Sequence, residues 1–385
     1  MASKIKVLWV GDGGVATGFA RVNHSIYGNL PKGKYEIHHL AINYRGDPYP
    51  DAKALLYPAV LGGDLFGIGR LKKMVENIKP DMIFILNDSW MIPQYLEQIP
   101  DTYVKKVVTY FPVDAKPLDS EWVIPISQLT VPVTYTEYAR EAVLEHAPNA
   151  DVRVIPHGID RKVFHPVDSM VARKKLAGLT EDDFIFLNAN RNQPRKRVDL
   201  TIKGFARFAK DKPSNVKLYL HMGIEDMGWH VIRLCDRFGI ADRLVLSTMD
   251  LSPAKYVSDA HLNNIYNACD VGINTSMGEG WGLTSFEHGA CGKAQIVPNS
   301  SACKEIYGED RAILLPIDHY ETYPQILTEG AVVTEDGIVE AMERYYSDTE
   351  LREQHAVNLY EYITAPQFDW KNIAKQWDAI FEEVI

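Results

Sequence analysis

Hydrophobic and polar residues follow two patterns that recur along almost the whole chain. Short apolar runs, rich in Val, Ile and Phe and bounded by Gly, Pro or Asn, predict strands buried on both faces. Between many of these runs, apolar residues recur three or four positions apart, which is the spacing of amphipathic helices. Strands that alternate with helices predict mostly parallel sheets with helices on both sides. The sequence therefore predicts an α/β fold.

The alternation falls into two blocks, and the first block contains predicted helices over Arg70–Ile78 and Glu137–Ala147. The predicted strands of this block are Ile5–Val10, Tyr35–Ile42, Met82–Leu86, Lys106–Phe111, Val131–Thr136 and Val152–Pro156. The pattern then breaks around Gly158 and Pro166, where no period is clear. We therefore predict that a first doubly wound domain ends at residue 165.

The second block repeats the same alternation and closes on helices alone from Gly337 onward. Its predicted strands are Phe184–Asn188, Val216–His221, Arg243–Ser247, Val271–Asn274, Ala294–Val297 and Ala312–Leu315. Its predicted helices include Leu200–Ala209, Trp229–Phe238 and His261–Cys269. Ligands of such sheets bind at the carboxyl ends of the strands. Two facing domains of this kind make a cleft, where we expect the chemistry.

Composition narrows the class of protein. A chain of 385 residues exceeds one compact core, and 46% hydrophobic with 24% charged residues excludes a disordered or fibrous protein. No apolar run approaches the roughly 18 residues of a membrane-spanning helix. The first strand begins without a signal-peptide core, and the four cysteines form no C-x-x-C pair. We therefore expect a cytoplasmic protein with reduced thiols.

The charge is distributed unevenly. Residues 1–166 contain 18 Lys and Arg against 18 Asp and Glu, so the remainder carries the whole net charge of −10. An acidic surface disfavours a general electrostatic attraction to nucleic acid or anionic lipid. A nucleic-acid partner would need a local basic groove that the sequence does not indicate. The short cationic stretch Arg70–Met74 predicts at most peripheral membrane contact.

The first strand leads into a glycine-rich turn that contains Gly11, Gly13 and Gly14. Glycines allow tight turns and let a ligand approach the backbone closely. A dinucleotide site would need a carboxylate at the end of the second strand, and Ile37–Ala41 contains none, which disfavours nicotinamide or flavin binding. Two interpretations stay open, a purely structural turn and a turn that faces a ligand.

Four cations lie within seven residues, from Arg191 to Arg197, between a predicted strand and a predicted helix. Such a run is often a solvated surface. This run, however, lies at the carboxyl end of the second sheet. Arg191 and Lys196 are placed there to neutralise a diphosphate.

A second glycine-rich turn, which carries two carboxylates, follows the predicted strand Val271–Asn274. Glu279 lies in the turn, and Glu287 lies inside a helix predicted to begin near Leu283. The N–H groups and the dipole at that helix end would hold an anion without a metal ion. The two carboxylates could then accept hydrogen bonds from hydroxyl groups on either side of the anion. The alternative is a solvated Glu279 and a Glu287 that only complements the helix dipole.

Glu279 and Glu287 stand in the pattern E-G-W-G-L-x-x-x-E, which resembles the E-x7-E motif of retaining glycosyltransferases with the GT-B architecture. Over nearly its whole length the chain resembles glycosyltransferase family 4. The other matching segments, in the family's order, are the first glycine-rich loop, Ile155–Pro166, Asn190–Asp199 with its R-x4-K spacing, Ile265–Val271 and Phe368–Trp370. Each segment alone is unspecific, whereas their joint order is specific.

The resemblance implies two Rossmann-like domains that face each other across a cleft. Residues 1–165 would be the acceptor-side domain and residues 166–365 the donor-binding domain. Residues 366–385 would form a C-terminal helix that packs back on the first domain. A nucleotide-diphosphate sugar would be the co-substrate, with no metal ion or other cofactor required.

The resemblance also implies a role for each matched residue. Glu287 would hold the ribose hydroxyls of the donor, and Glu279 would contact hydroxyls of the donor sugar. Arg191 and Lys196 would stabilise the departing nucleoside diphosphate, which is the catalytic contribution we weight most. The further donor-binding residues that it implies are Gly13, Gly14, Gly280, Trp281, Gly282, Leu283 and Thr284.

One position departs from the family pattern. Many members carry a histidine after a first-domain strand, and the corresponding stretch Val108–Asp114 contains none. Asp114 is the nearest polar substitute, and we predict that it is catalytic; the alternative is a capping role. The departure leaves the sugar and the acceptor open. The acceptor could be a saccharide, a lipid-linked molecule or a modified base.

The sequence thus predicts a metal-independent, retaining glycosyltransferase that uses a nucleotide-diphosphate sugar. One alternative is a sugar-nucleotide epimerase, which would change the sugar nucleotide without an acceptor. Another is a non-catalytic protein that binds nucleotides or sugars on the same scaffold.

Overall fold

The computed structural model describes residues 4–49, 52–60, 63–247 and 257–385. Within them the chain forms two compact units. One contains the chain up to Gly158 together with Pro366–Ile385, and the other is Ile159–Ala365. The sequence analysis predicts the end of the first domain at residue 165. In the structure, buried Phe164 already packs on Tyr266 of the second unit, with ring centroids 5.7 Å apart.

The first unit is built on a parallel sheet of seven described strands in the order β3-β2-β1-β4-β5-β6-β7. The strands are β1 Ile5–Asp12, β2 Tyr35–Ile42, β3 Leu55–Pro58, β4 Met82–Leu86, β5 Val107–Phe111, β6 Val131–Thr134 and β7 Arg153–Val154. All five residues of β4 are buried, as expected for a strand covered on both faces. The predicted strands are confirmed. The edge strand β3 was not predicted, because it is short and partly exposed.

Helices connect these strands and cover the sheet. They are α1 Gly18–Asn29, α2 Ile68–Ile78, α3 Ile92–Leu96, α4 Ser120–Leu129 and α5 Glu137–Leu144. In α2, Leu71, Met74 and Val75 are buried while the charged side chains lie on the opposite face. The helix therefore forms because its apolar stripe packs on the sheet.

The second unit contains another parallel sheet, in the order β10-β9-β8-β11-β12-β13. The strands are β8 Phe184–Asn188, β9 Val216–Leu220, β10 Leu244–Leu246, β11 Val271–Ile273, β12 Ala294–Pro298 and β13 Ile313–Leu315. An antiparallel hairpin follows, formed by β14 Ile317–Thr322 and β15 Glu329–Val333. The sequence analysis missed this hairpin, because β14 is mostly polar and exposed and has no apolar run.

The helices of the second unit are α6 Ser169–Arg173, α7 Val198–Ala209, α8 Val231–Arg237, α9 Asp259–Ala268, α10 Leu283–Ala290, α11 Ser301–Tyr307, α12 Glu335–Ser347 and α13 Thr349–Ile363. Helices α7 and α12 pack closely at Gly204. A Cβ atom there would lie 2.3 Å from Ile338 Cγ2. Only glycine permits this approach without displacing the neighbouring helix.

The last helix, α14 Trp370–Val384, belongs to the first unit. Its buried side chains recur three or four positions apart and include Trp377 and Phe381. Trp377 meets Phe84 of β4 edge to face at 5.2 Å, and Phe84 stacks on Trp9 of β1 at 3.9 Å. This aromatic cluster ties the returning helix to the centre of the first sheet.

The structure also describes the lengths of the helices and the state of the cysteines. No helix within the described residues is long and apolar enough to cross a membrane. All four cysteines are buried and unbridged.

Candidate functional site

The glycine-rich turn between β11 and α10 is held tightly by its own unit. The N–H of Met277 donates to the Arg195 carbonyl at 2.8 Å, and its carbonyl accepts from the Ala331 N–H at 2.7 Å. Helix α10 begins at Leu283, as predicted, after Gly282 with φ +83°. Glycine adopts this left-handed backbone readily and has no side chain that could cap the helix. The cap residue therefore offers no side-chain acceptor to the first N–H groups of α10.

Lys196 and Glu279 form a buried ion pair beside this turn. The distance from Lys196 Nζ to Glu279 Oε1 is 2.5 Å, and the two side chains are only 8% and 7% exposed. Lys196 ends a short 3₁₀ turn after β8, and Glu279 follows β11. Because β8 and β11 are neighbours in the parallel sheet, their carboxyl ends bring together two residues that lie far apart in sequence.

The charge of Glu279 is maintained despite its burial. Burial by itself would raise the pKa of this carboxyl, but the nearby cations Lys196 and Arg195 and the Asn274 amide lower it further. The net pKa lies below the ordinary value of 4.5. Glu279 is therefore an anion at neutral pH, and Lys196 is its counter-ion.

Arg195, which was not singled out from the cationic run, also lies at the turn. Its Nη1 donates to the Gly278 carbonyl at 3.1 Å, and its charge helps to lower the pKa of Glu279. Arg191, which the sequence assigns to the diphosphate together with Lys196, contacts Asp226. It is 54% exposed and makes a two-pronged contact with the 4%-exposed carboxylate of Asp226, at 2.5 and 3.1 Å.

Buried amides connect the turn with the start of α10. Asn274 Nδ2 donates to Glu279 Oε1 at 3.1 Å, and Asn190 Nδ2 donates to Asn274 Oδ1 at 3.1 Å. Thr284 Oγ1 in turn donates to Asn190 Oδ1 at 3.4 Å. A continuous chain of hydrogen bonds thus fixes Glu279 relative to the first turn of the helix.

A residue with a strained backbone holds the main chain of Glu279. Ser301 is buried and has φ +46°, an uncommon conformation for a residue with a side chain. Its Oγ accepts from the Glu279 N–H at 3.1 Å. Strain of this kind is found where the surrounding structure holds functional geometry in place.

Glu287, the second carboxylate, is buried one turn inside α10. It accepts a hydrogen bond of 2.9 Å from the Tyr266 hydroxyl of α9. Burial raises the pKa of the Tyr307 phenol well above its usual range, and the charges of Glu279 and Glu287 contribute. Both carboxylates therefore lie near one buried ring.

In the first unit, the glycines of the first loop meet their own neighbours. A Cβ atom on Gly13 would lie 2.4 Å from His39 Cε1, and one on Gly14 would lie 2.7 Å from Tyr44 Cδ2. Gly14 also has φ +65°. Packing within the unit is thus a sufficient reason for both glycines. Their predicted contact with a donor stays a prediction.

The start of α1 is also satisfied internally. Thr17 Oγ1 accepts from the Ala20 N–H at 3.2 Å and donates to Asp12 Oδ2 at 2.5 Å. Asn43 Nδ2 donates to the other oxygen of Asp12 at 3.1 Å. Burial raises the pKa of this aspartate above its ordinary value, and its two hydrogen bonds lower it only in part.

Asp114 lies in the first unit, three residues after the end of β5, and is half-buried. Burial above all raises the pKa of Tyr135, and the charges of Asp88 and Asp114 add to this effect. Two carboxylates therefore lie near Tyr135, at the carboxyl ends of the adjacent strands β4 and β5. The catalytic role of Asp114 stays a prediction.

The structure thus brings together part of the predicted set. Lys196 and Glu279 are in direct contact, and the predicted segment Gly280–Thr284 joins Glu279 to the start of α10. The sequence analysis missed Arg195 and the supporting amides. A signal for the amides exists, since Asn274 directly follows β11 and Asn190 lies two residues after β8, both at the ligand-binding edge of a parallel sheet.

Comparison with known families agrees with this geometry. Residues 172–361, which contain the ion pair and both carboxylates, match the family model described as Glycosyl transferases group 1. All the matched residues lie within the second unit.

Curated proteins that this chain resembles include D-inositol 3-phosphate glycosyltransferases. The protein from Stackebrandtia nassauensis is 29% identical over 209 residues, which are 52% of this chain and 45% of the relative. The protein from Thermobispora bispora is 27% identical over 64% of this chain and 60% of the relative. The chain thus matches less than two thirds of the length of either.

Solved structures resemble the whole chain. Sucrose-phosphate synthase from Thermosynechococcus elongatus has a TM-score of 0.73 at 16% identity, with 99% of both chains covered. HepE from Anabaena, in complex with UDP and glucose, has a TM-score of 0.69 at 15% identity, over 98% of this chain and 100% of that one. The fold is accordingly the GT-B fold with two Rossmann-like domains, as predicted.

Proposed function

We propose that this protein is a retaining, metal-independent glycosyltransferase of family 4 that transfers a sugar from a nucleotide-diphosphate donor to an acceptor hydroxyl. The observation that carries the proposal is the buried Lys196–Glu279 pair at the uncapped start of α10, inside the segment that matches the group 1 family. A purely structural salt bridge would not need glycines, a strained backbone and a helix start without a side-chain cap around it.

The diphosphate of the donor would bind at the start of α10. The N–H groups there and the dipole of the helix favour an anion. Lys196 and Arg195 supply two positive charges at the same turn. Arg191, which the sequence assigned to the diphosphate, would have to leave Asp226 to reach it.

The two carboxylates would recognise the hydroxyl-bearing ends of the donor. Glu279, which is ionised and held by Asn274, would accept a hydroxyl of the sugar. Glu287 would accept the ribose hydroxyls. HepE, whose structure holds UDP and glucose, supports a donor of this class.

In the proposed reaction, the bond between the anomeric carbon and the β-phosphate oxygen breaks, and a bond from the acceptor oxygen forms on the same face of the sugar. The acceptor proton passes to the leaving phosphate oxygen, so no strong protein base is required. Lys196 and Arg195 stabilise the negative charge that develops on the diphosphate. These fixed cations take the part that a divalent metal ion has in other glycosyltransferases.

The first test measures binding of UDP, ADP and GDP, and of the corresponding nucleotide sugars, to the full chain in EDTA. Thermal unfolding reports the binding as a shift of the midpoint. A nucleotide at about 100 times its dissociation constant stabilises the fold by about 2.7 kcal/mol. Lys203→Met is a matched control for Lys196→Met, because Lys203 is a partly exposed lysine of the same unit. We expect Lys196→Met alone to abolish the shift.

Binding is then followed by an acceptor screen in which NMR reads the anomeric configuration of the product. Retention in EDTA supports the proposal. Inversion, or a strict need for Mg²⁺, contradicts it. A changed sugar nucleotide without acceptor would identify an epimerase, and no binding of any nucleotide at about 1 mM would contradict the donor assignment.

A further inference from the structure

The mechanism above assigns no role to Tyr266, although it contacts one of the two carboxylates. Its hydroxyl donates to Glu287 Oε2 at 2.9 Å, between α9 and α10. Both side chains are buried. A hydrogen bond to a buried carboxylate is stronger than an ordinary neutral one, because the acceptor carries a full charge that water does not screen.

The ring of Tyr266 is held on two sides. It stacks on His288 with centroids 5.5 Å apart and an angle of 25° between the planes, and it meets Phe164 at 5.7 Å. Burial lowers the pKa of His288 to about 3, so this ring is neutral at physiological pH. The hydroxyl of Tyr266 therefore has a fixed position, and no positive charge from His288 competes for the carboxylate.

A glutamate side chain has three rotatable bonds, and holding one of its oxygens restricts all of them. The bond from Tyr266 engages Oε2 of Glu287. This bond therefore helps to fix the carboxylate in one orientation. A ribose diol requires such an orientation, because two adjacent hydroxyls must donate at the same time.

We infer that Tyr266 is a positioning residue, which orients Glu287 for the ribose diol and so makes the site selective for ribonucleotides. The inference rests on the proposed function, since it deepens the role given there to Glu287. It concerns the selectivity of the site between nucleotides with ribose and nucleotides whose sugar lacks the ribose hydroxyls, and makes no claim about the stability of the second unit.

The test replaces the hydroxyl alone. Tyr266→Phe keeps the ring between His288 and Phe164 and removes the donor to Glu287. The control is Tyr345→Phe, because Tyr345 is also a buried tyrosine of the second unit and its hydroxyl contacts His355 at 2.8 Å. Calorimetric titration of the full chain with UDP, ADP and GDP, and with their 2′,3′-dideoxy forms, measures the preference for ribose.

We expect Tyr266→Phe to weaken binding of the ribonucleotide about tenfold and to leave the dideoxy form within about twofold of its wild-type affinity. Tyr345→Phe should bind both forms like the wild type. A variant that weakens both forms equally, or neither, would overturn the inference while the wild-type binding upholds the proposed function. A wild-type chain that binds no nucleotide at about 1 mM would overturn both.

Discussion

The substitution Glu279→Gln tests the electrostatic basis of the proposed site. It keeps the shape of the side chain and removes its charge. Lys196 would then lose the carboxylate that lies 2.5 Å from its Nζ, in a place where the two side chains are only 8% and 7% exposed. The consequence should differ between the free protein and the protein with a bound diphosphate.

The magnitude follows from the burial of the pair. Removing one partner of a buried ion pair costs about 3–5 kcal/mol, because it leaves an uncompensated charge in a poorly polarisable environment. The amide oxygen of the new glutamine can still accept from Lys196, so we expect about 3 kcal/mol, the lower end of this range. For a unit of this size, the thermal midpoint would fall by roughly 6–12 °C.

A phosphate can replace the missing carboxylate. Nucleoside diphosphate should therefore bind Glu279→Gln more tightly than it binds the wild type, and it should restore much of the lost stability. Sugar transfer should fall, because the carboxylate that accepts a hydrogen bond from a hydroxyl of the donor sugar is gone. The assay combines urea unfolding of the second unit, calorimetric titration with UDP, ADP and GDP, and turnover of the corresponding sugar nucleotides.

The double variant Lys196→Met with Glu279→Gln is the control, because replacing both partners of a buried pair by uncharged groups is far less costly than removing one. It should recover most of the stability and bind the diphosphate poorly. Wild-type stability of Glu279→Gln would refute our account of the pair. Equal losses in the single and the double variant would refute it as well.

Three further predictions follow from the same structure. The pKa of Glu279 is depressed below 4.5, so the contribution of its charge to stability is present above that pH and is lost as the pH falls through the folded-state pKa. The difference in unfolding free energy between wild type and Glu279→Gln, measured by urea unfolding at several pH values, should therefore be largest near neutrality and shrink below about pH 4. A constant difference would contradict the assignment. Arg195→Gln should lower turnover about 100-fold, whereas Arg191→Gln should cost about 1–3 kcal/mol of stability, because it leaves the 4%-exposed carboxylate of Asp226 without its guanidinium partner. Steady-state kinetics and urea unfolding of both variants separate the two effects, and a reversed order would restore the role that the sequence gave to Arg191. Trp377→Ala should destabilise the first unit by about 3–5 kcal/mol, because it empties the aromatic cluster under α14; denaturant unfolding checks this, and a loss below about 1 kcal/mol would show that the helix is held by other contacts.

Much of the fold could be predicted from local sequence pattern. Strands such as Met82–Leu86 and Phe184–Asn188 consist mainly of consecutive apolar residues, and such a run predicts a strand buried on both faces. The strands β3 and β14 were missed for the opposite reason. They are edge strands with exposed side chains, so their pairing leaves no period in the sequence.

The candidate site shows the same division. The pattern E-G-W-G-L-x-x-x-E located both carboxylates and predicted the start of α10 at Leu283, because these features lie within one turn and one helix. No local pattern, in contrast, predicts which cation lies beside Glu279. The short turn that ends at Lys196, and the left-handed conformation of Arg197 with φ +46°, decide which side chains of the run point to the glycine-rich turn.

By itself, the sequence determined the two α/β domains, the order of their buried strands, and the carboxylates and cations that lie at strand ends. Those features depend on interactions between residues close together in the chain. Only the tertiary structure decided that Lys196 pairs with Glu279, that Tyr266 binds Glu287, and that Gly13 packs on His39. Each of these contacts joins residues that are distant in sequence, and their geometry is set by how neighbouring strands and helices pack rather than by any local pattern.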